Sequence, residues 1–199
     1  MKRAVFLDRD GVITEEVGYL GDVSQLRFIP DSVKALHLFN QAELKVIIIT
    51  NQSGVARGYF SEGVISEIHQ EMNKQLSAEK AFIDAVYYCP HHPEGTVERY
   101  AIQCDCRKPG VGMIRQAAEE HGIDPRHSYL VGDKLSDVEC AQRAGMRGIL
   151  VLTGYGKDEM KKITDASSVR PVYIAKNLYQ AAKWIVEDFN SESCGDTNR

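Results

Sequence analysis

Apolar positions along the chain fall into two alternating patterns. Short, mainly apolar runs that read as strands occur at 4–7, 45–50, 82–88, 128–131, 148–152 and 171–175, and the one at 4–7 is unbroken, as expected of a strand buried on both faces of a parallel sheet. The run at 45–50 is β-branched almost throughout, which suits a pleated, buried position. Between the runs, apolar residues recur at helical spacing. Val33, Leu36, Leu38 and Phe39 predict a helix over 32–40 behind a capping Asp31. Ser61 is the expected cap of a helix whose apolar side is Val64, Ile65, Ile68, Met72 and Leu76. Further helices are expected over 111–121, 138–144 and 178–189. The periodicity fails twice: 13–30 reads as a long polar loop, and 89–106 is polar and rich in cysteine. Residues 191–199 are polar and are expected to form a disordered tail. Strands alternating with helices imply right-handed crossovers, and so an α/β fold with a doubly wound parallel sheet. No repeat or linker divides the chain, so a single domain over 1–190 is expected, with the loop 89–106 as its one irregular excursion.

Composition narrows the class. The chain has 199 residues, which suits one α/β domain. Its net charge of −4, without a basic stripe, gives little support for a nucleic-acid partner. Met1-Lys2-Arg3 runs straight into the first apolar run, and no stretch has the length of a membrane span, so a cytoplasmic enzyme is expected, with no membrane partner. Cysteine is used oddly: there are five, and three of them fall in one loop, a pattern that suggests metal rather than disulfides.

The chemistry gathers where strands end. The first run stops in Asp8-Arg9-Asp10-Gly11, which would point two carboxylates into the crevice beyond the sheet. Two acids so close repel unless a cation or a shared proton intervenes, and magnesium commonly joins carboxylates to a substrate phosphate. A solvated turn is the alternative for this stretch taken alone. The second run ends in Thr50-Asn51-Gln52-Ser53-Gly54, a hydroxyl with amides and flexible backbone that can hold an anion; a helix-capping loop is the other reading, and the two are compatible. The fourth ends in Gly132-Asp133-Lys134, with Asp137 a turn further on. Cys89, His91, Cys104 and Cys106 form a C-x-H…C-x-C set, the donors of a closed tetrahedral zinc site, with no position left for water and hence a structural role. A disulfide or free buried thiols are the alternatives, and His92 is the alternative to His91.

The order of these clusters, Asp8-x-Asp10, Thr50-Asn51, Lys108, then Gly132-Asp133-x-x-x-Asp137, resembles the haloacid dehalogenase (HAD) superfamily of phosphotransferases across essentially the whole chain. Phe6-Leu7-Asp8-Arg9-Asp10-Gly11-Val12, Thr50-Asn51-Gln52-Ser53-Gly54, the cysteine loop and Cys106-Arg107-Lys108-Pro109 resemble its histidinol-phosphatase branch, and within that the free-standing heptose-bisphosphate phosphatases. The resemblance implies a Rossmann-like HAD fold without a large cap domain. It implies a phosphomonoester hydrolase working as a monomer on a small phosphorylated sugar. Asp8 would be the nucleophile, Asp10 the general acid and base, protonated at the outset, and Thr50 and Lys108 would stabilise the transferring phosphoryl group. Magnesium would be held by Asp8, the main-chain carbonyl of Asp10 and Asp133. Substrate would meet Asp8, Arg9, Asp10, Glu16, Val17, Gly18, Tyr19, Thr50, Asn51, Gln52, Ser53, Arg107, Lys108 and Lys134. For Arg107 and Lys134 a solvated surface charge is the competing reading. Asp137 either orients Lys108 or the metal shell, or caps a helix. Hydrolysis of the 7-phosphate of a heptose 1,7-bisphosphate, supplying nucleotide-activated heptose for lipopolysaccharide or surface polysaccharide, is the leading expectation. Histidinol-phosphate hydrolysis is the nearest rival. A phosphotransferase or mutase, and a non-catalytic zinc module, are the other classes considered.

Overall fold

The computed structural model describes residues 2–195. Six strands form one sheet: β1 (Ala4–Leu7), β2 (Lys45–Asn51), β3 (Ala85–Cys89), β4 (Tyr129–Gly132), β5 (Arg147–Val151) and β6 (Tyr173–Ala175). Their order across the sheet is β3-β2-β1-β4-β5-β6, and every neighbouring pair is parallel. The helices are α1 (Ser32–Gln41), α2 (Glu62–Ala78), α3 (Gly112–His121), α4 (Leu135–Arg143), α5 (Gly156–Met160) and α6 (Leu178–Gly195).

The side-chain period of two explains why the central runs carry no polar residue. Val5, Leu7, Val46, Ile48, Val131 and Ile149 face one side and pack with Leu36 and Phe39 of α1, Ile68 and Met72 of α2, and Ala182 and Ile185 of α6. Ala4, Phe6, Ile47, Ile49 and Leu130 face the other and pack with Met113, Ile114 and Ala117 of α3 and with Cys140 and Ala141 of α4. Both faces are buried, so alternation with solvent-facing residues has no place. Among the described residues no separate cap covers the carboxyl ends of the strands.

Several boundaries differ from the sequence expectation, each for a local reason. The third strand begins at Ala85, not 82. Phe82 exchanges its main-chain hydrogen bonds with the Asn40 side chain, which holds it outside the ladder; Asp84 N donates to Val46 O, but the Asp84 carboxylate accepts from Val46 N in place of a main-chain acceptor and pairs with Lys45. Asp31 does not cap α1; it is left-handed at φ 66° and its carboxylate pairs with Lys34 instead. Ser61 stands at the start of α2 in extended conformation without a side-chain cap bond. Helix α4 starts at Leu135, earlier than expected, because the Asp137 carboxylate accepts from Lys134 N at 3.1 Å and caps it. Helix α5 is too short to leave a periodic signature. Helix α6 runs on to Gly195, past the expected start of the tail at 191; 196–199 lies outside the described residues. The 13–30 loop is pinned rather than free: Thr14 bridges Phe28, and Asp22 caps a single turn at Val23–Gln25 by accepting from Ser24 N.

Candidate active site

Strand order reverses between β1 and β4, the switch point at which a parallel sheet opens a crevice. Asp8 follows β1, and Asp133 follows β4 directly alongside it. The Asp8 main chain continues the ladder, donating to Val131 O at 3.0 Å. Lys108 reaches the same point from the loop before α3. Its Nζ lies 3.0 Å from Asp8 Oδ1 and 2.6 Å from Asp137 Oδ1, with all three side chains nearly or fully buried. Burial works against the charged ammonium, but Asp137 and Asp8 outweigh it and hold the Lys108 pKa above its ordinary value. Asp137 fills both roles left open by the sequence: one oxygen orients Lys108 and the other caps α4. Asn51 clamps the Lys108 backbone from both sides, accepting from Lys108 N at 3.0 Å and donating to Lys108 O at 3.1 Å.

Asp10 is gripped more completely than its motif suggests. Arg9 Nε and Nη2 donate to its two oxygens at 3.0 and 2.8 Å, Thr14 Oγ1 donates at 3.2 Å and Gln52 Nε2 at 2.9 Å. Gln52 also donates to Thr50 Oγ1 at 2.9 Å, which ties the second strand end to the first. Burial raises the Asp10 carboxyl, but the Arg9 charge and these donors outweigh it, so its pKa lies below the ordinary value. In the free protein these contacts favour the carboxylate form of Asp10; the expectation that it begins the reaction protonated concerns the complex with a phosphate beside it. Arg9 is corrected in place: it is fully buried and turned toward Asp10 and His69, not toward the crevice.

A cation fits between Asp8 and Asp133. Carboxylate oxygens of Asp8, Asp133 and Asp137 lie within 4.8 Å of one another. Asp133 Oδ2 accepts from Tyr155 N at 2.9 Å, but Oδ1 is buried with no protein partner. Burial first and the Asp8 charge second push the Asp133 pKa up to about 7, a cost that an oxygen-seeking divalent ion removes. Gly11, at φ +81°, brings its backbone against this carboxylate; a Cβ there would sit 2.2 Å from Asp133 Oδ2. Only glycine combines that conformation with that approach.

Around these groups lies a cavity of about 420 Å³. Of the residues expected against substrate, Asp8, Asp10, Glu16, Gly18, Tyr19, Thr50, Asn51, Gln52, Ser53, Arg107, Lys108 and Lys134 line it. Val17 does not: its side chain is exposed beyond the rim. Leu20, Gly54, Ser136, Asp137 and Tyr155 line it in addition. Tyr155 had no sequence signal, because it precedes the unforeseen α5; its ring lies 4.5 Å from Lys134 Nζ. Lys134 also faces Glu16 Oε2 at 3.6 Å, so the mouth is spanned by a weak ion pair. His69 was missed too, although a polar residue on the apolar side of a helix beside Ile65, Ile68 and Met72 is a readable signal.

The cysteine loop closes on itself next to this cavity. Cys89, His91, Cys104 and Cys106 place their donor atoms within 4.8 Å of one another. The sulfur separations are 3.4, 3.0 and 3.1 Å, far beyond a disulfide's roughly 2.05 Å, and the cysteines are free. His91 Nδ1 is 3.4 Å from Cys106 Sγ. His92 is turned away, its Nε2 toward Arg57 and its Nδ1 accepting from Glu94 N, so His91 is the imidazole of the set. Burial pushes Cys89 well up and Cys106 to about 11, a cost that binding zinc as thiolates offsets. Arg107 Nη1 donates to His91 O at 3.3 Å and Gln52 N to Cys89 O at 2.7 Å, which joins the loop to the cavity wall.

Comparison with known proteins agrees with this geometry. The HAD-hydrolase-like family model matches residues 105–181. D-glycero-beta-D-manno-heptose-1,7-bisphosphate 7-phosphatase from Pasteurella multocida is 39% identical over 93% of this chain and 97% of its own. D-glycero-D-manno-heptose-1,7-bisphosphate 7-phosphatase from Thermosynechococcus vestitus is 41% identical over 92% of this chain and 94% of its own. The crystal structure of D,D-heptose 1,7-bisphosphate phosphatase from B. bronchiseptica, complexed with magnesium and phosphate, superposes with a TM-score of 0.82 at 31% identity, covering 94% of this chain and 99% of that one.

Proposed function

The chain belongs to the heptose-1,7-bisphosphate 7-phosphatase family of HAD-like hydrolases, and from that premise we propose that it removes the 7-phosphate of D-glycero-D-manno-heptose 1,7-bisphosphate through an aspartyl-phosphate on Asp8. The observation that carries the mechanism is the Asp8 carboxylate at the switch point, bonded to Lys108 at 3.0 Å with Asp10 beside it in one cavity.

Asp8 attacks phosphorus and the sugar oxygen leaves, so one hard displacement becomes two easier ones. Lys108 and the Thr50 hydroxyl meet the phosphoryl oxygens and are held in place beforehand by Asp137, Asn51 and Gln52. Asp10 gives a proton to the departing oxygen and later takes one from the attacking water. The contacts around Asp10 favour its carboxylate in the free protein, so Asp10 gains its proton as substrate arrives. An incoming phosphate raises it electrostatically, and a phosphomonoester with a second pKa of roughly 6 still carries a proton in part of its population near neutrality. Asp8, Asp133 and the Asp10 main-chain carbonyl would hold magnesium, which when bound neutralises phosphoryl charge. Arg107 and Lys134, on the cavity wall, are placed to meet the remainder of an anionic sugar. The product feeds nucleotide-activated heptose for lipopolysaccharide or surface polysaccharide. A monomer in the cytoplasm is the proposed form; the free thiols of the described residues, three of them in a metal-ligating arrangement, suit a reducing compartment.

The direct test is phosphate release from both anomers of the heptose bisphosphate, with histidinol phosphate assayed alongside. Faster turnover of a bisphosphate by at least about a hundredfold in kcat/KM is expected, since discrimination of that order needs roughly 2.7 kcal/mol. Comparable turnover of histidinol phosphate would overturn the substrate assignment and leave the phosphatase machinery standing.

A further inference from the structure

Arg9 heads the fully buried side chains by size and carries a permanent charge, and nothing in substrate binding accounts for it, since it does not line the cavity. Two of its nitrogens form a fork on Asp10. The third, Nη1, lies 3.2 Å from His69 Nε2 on α2. A guanidinium only donates, so this ring nitrogen is the acceptor and the imidazole is neutral, with its proton on Nδ1. Burial first and the Arg9 charge second keep the His69 pKa down to about 4, in agreement with that tautomer. His69 sits on the core side of α2, flanked by the fully buried Ile65, Ile68 and Met72, so its position is fixed by packing.

We propose that His69 is a positioning residue for proton transfer: it sets the plane of the Arg9 guanidinium, and that fork in turn aims the Asp10 carboxyl into the cavity. The inference rests on the reading of Asp10 as general acid. Without the His69 acceptor, a buried N–H of a cation loses its partner and the guanidinium turns to find another. The fork and the carboxyl then turn with it. Proton delivery, which depends on orientation, falls before anything else does. Among the described residues, His69 is the one α2 side chain that bonds to Arg9 or Asp10, so α2 acts on this pair through it.

The test compares His69→Gln, whose amide oxygen can occupy the Nε2 position, with His69→Asn, which stays polar but falls short of Arg9. Each is assayed for kcat/KM on the heptose bisphosphate, whose sugar oxygen needs a proton to leave, and on 4-nitrophenyl phosphate, whose leaving group does not. His69→Asn is expected to lose about tenfold on the sugar phosphate and less than about twofold on the aryl phosphate, with His69→Gln recovering most of the loss. Equal losses on both substrates, or equal sugar-phosphate rates for the two variants, would overturn the assignment. Asp10→Asn, run in parallel, separates the two levels. If Asp10→Asn is selective for the sugar phosphate and His69→Asn is not, the His69 role alone fails. If Asp10→Asn affects both substrates equally, the acid role of Asp10 fails and the His69 role with it.

Discussion

At the scale of single residues, the site depends on carboxylates kept apart in function by different surroundings. Asp10 is held ionised by a buried guanidinium, while Asp133 is raised to about 7 by burial and by Asp8. The folded protein without metal therefore binds a proton at Asp133 that the unfolded chain has released, between the ordinary aspartate value and about 7. The contribution of this group to stability falls as pH rises through that window, because the folded state then has to give up the proton. Magnesium takes the proton's place, so it is expected to raise the melting temperature more at about pH 8 than at about pH 5. A thermal melt with and without magnesium at the two values checks this; an equal shift at both would contradict competition between the proton and magnesium at Asp133. Gly11 offers a second check. In Gly11→Ala the new Cβ meets Asp133 Oδ2 in a conformation that alanine adopts with strain, so the carboxylate must move. A displacement near 1 Å at a reacting centre can cost about a hundredfold, and kcat at saturating magnesium is expected to fall by that order. At this scale Asp8 and Asp133 were legible in the sequence, because acidic residues that end buried strands have few other reasons to be there, while Lys108 was legible only through the order of the family's motifs. The Arg9 fork and His69 were not, since both look like ordinary residues of a loop and a helix until the core closes over them.

At the scale of elements, the loop from Cys89 to Cys106 replaces apolar burial with metal ligation. It follows β3, shares a hydrogen bond with Gln52 at the end of β2, and carries Arg107 and Lys108 directly after its last cysteine. Zinc therefore supports Lys108 at one remove. Cys104→Ser is expected to lose zinc, measured by mass or colorimetric assay, and to lower the melting temperature, with a smaller effect on kcat than changes at Asp8. Full zinc content and an unchanged melt would contradict the four-ligand assignment. The donor set could be read from the sequence because Cys-x-His and Cys-x-Cys leave little else for those side chains to do. The choice of His91 over His92 could not, since it turns on which imidazole Arg57 and Glu94 occupy. Strand positions were readable from apolar runs, while starts and stops shifted wherever a side chain took over the ladder's hydrogen bonds, as Asn40 does for Phe82.

At the scale of the whole molecule, a six-stranded parallel sheet brings six separate stretches of sequence to one cavity at its crevice, and among the described residues loops rather than a cap wall it. The alternation of strands and helices made that architecture legible. The cavity wall was only partly so, because Ser136 lies in α4, whose start the periodicity misplaces, and Tyr155 precedes α5, which leaves no periodic signal. The central claim is covalent: Asp8 carries phosphorus during each turnover. Its most direct measurement is rapid acid quenching of the enzyme with isotopically labelled substrate, followed by peptide mapping. The account predicts transient label on the peptide that holds Asp8, with no label and no turnover in a folded Asp8→Asn variant. Phosphate release at the full rate from Asp8→Asn, or turnover without label on that peptide in the unaltered enzyme, would contradict it.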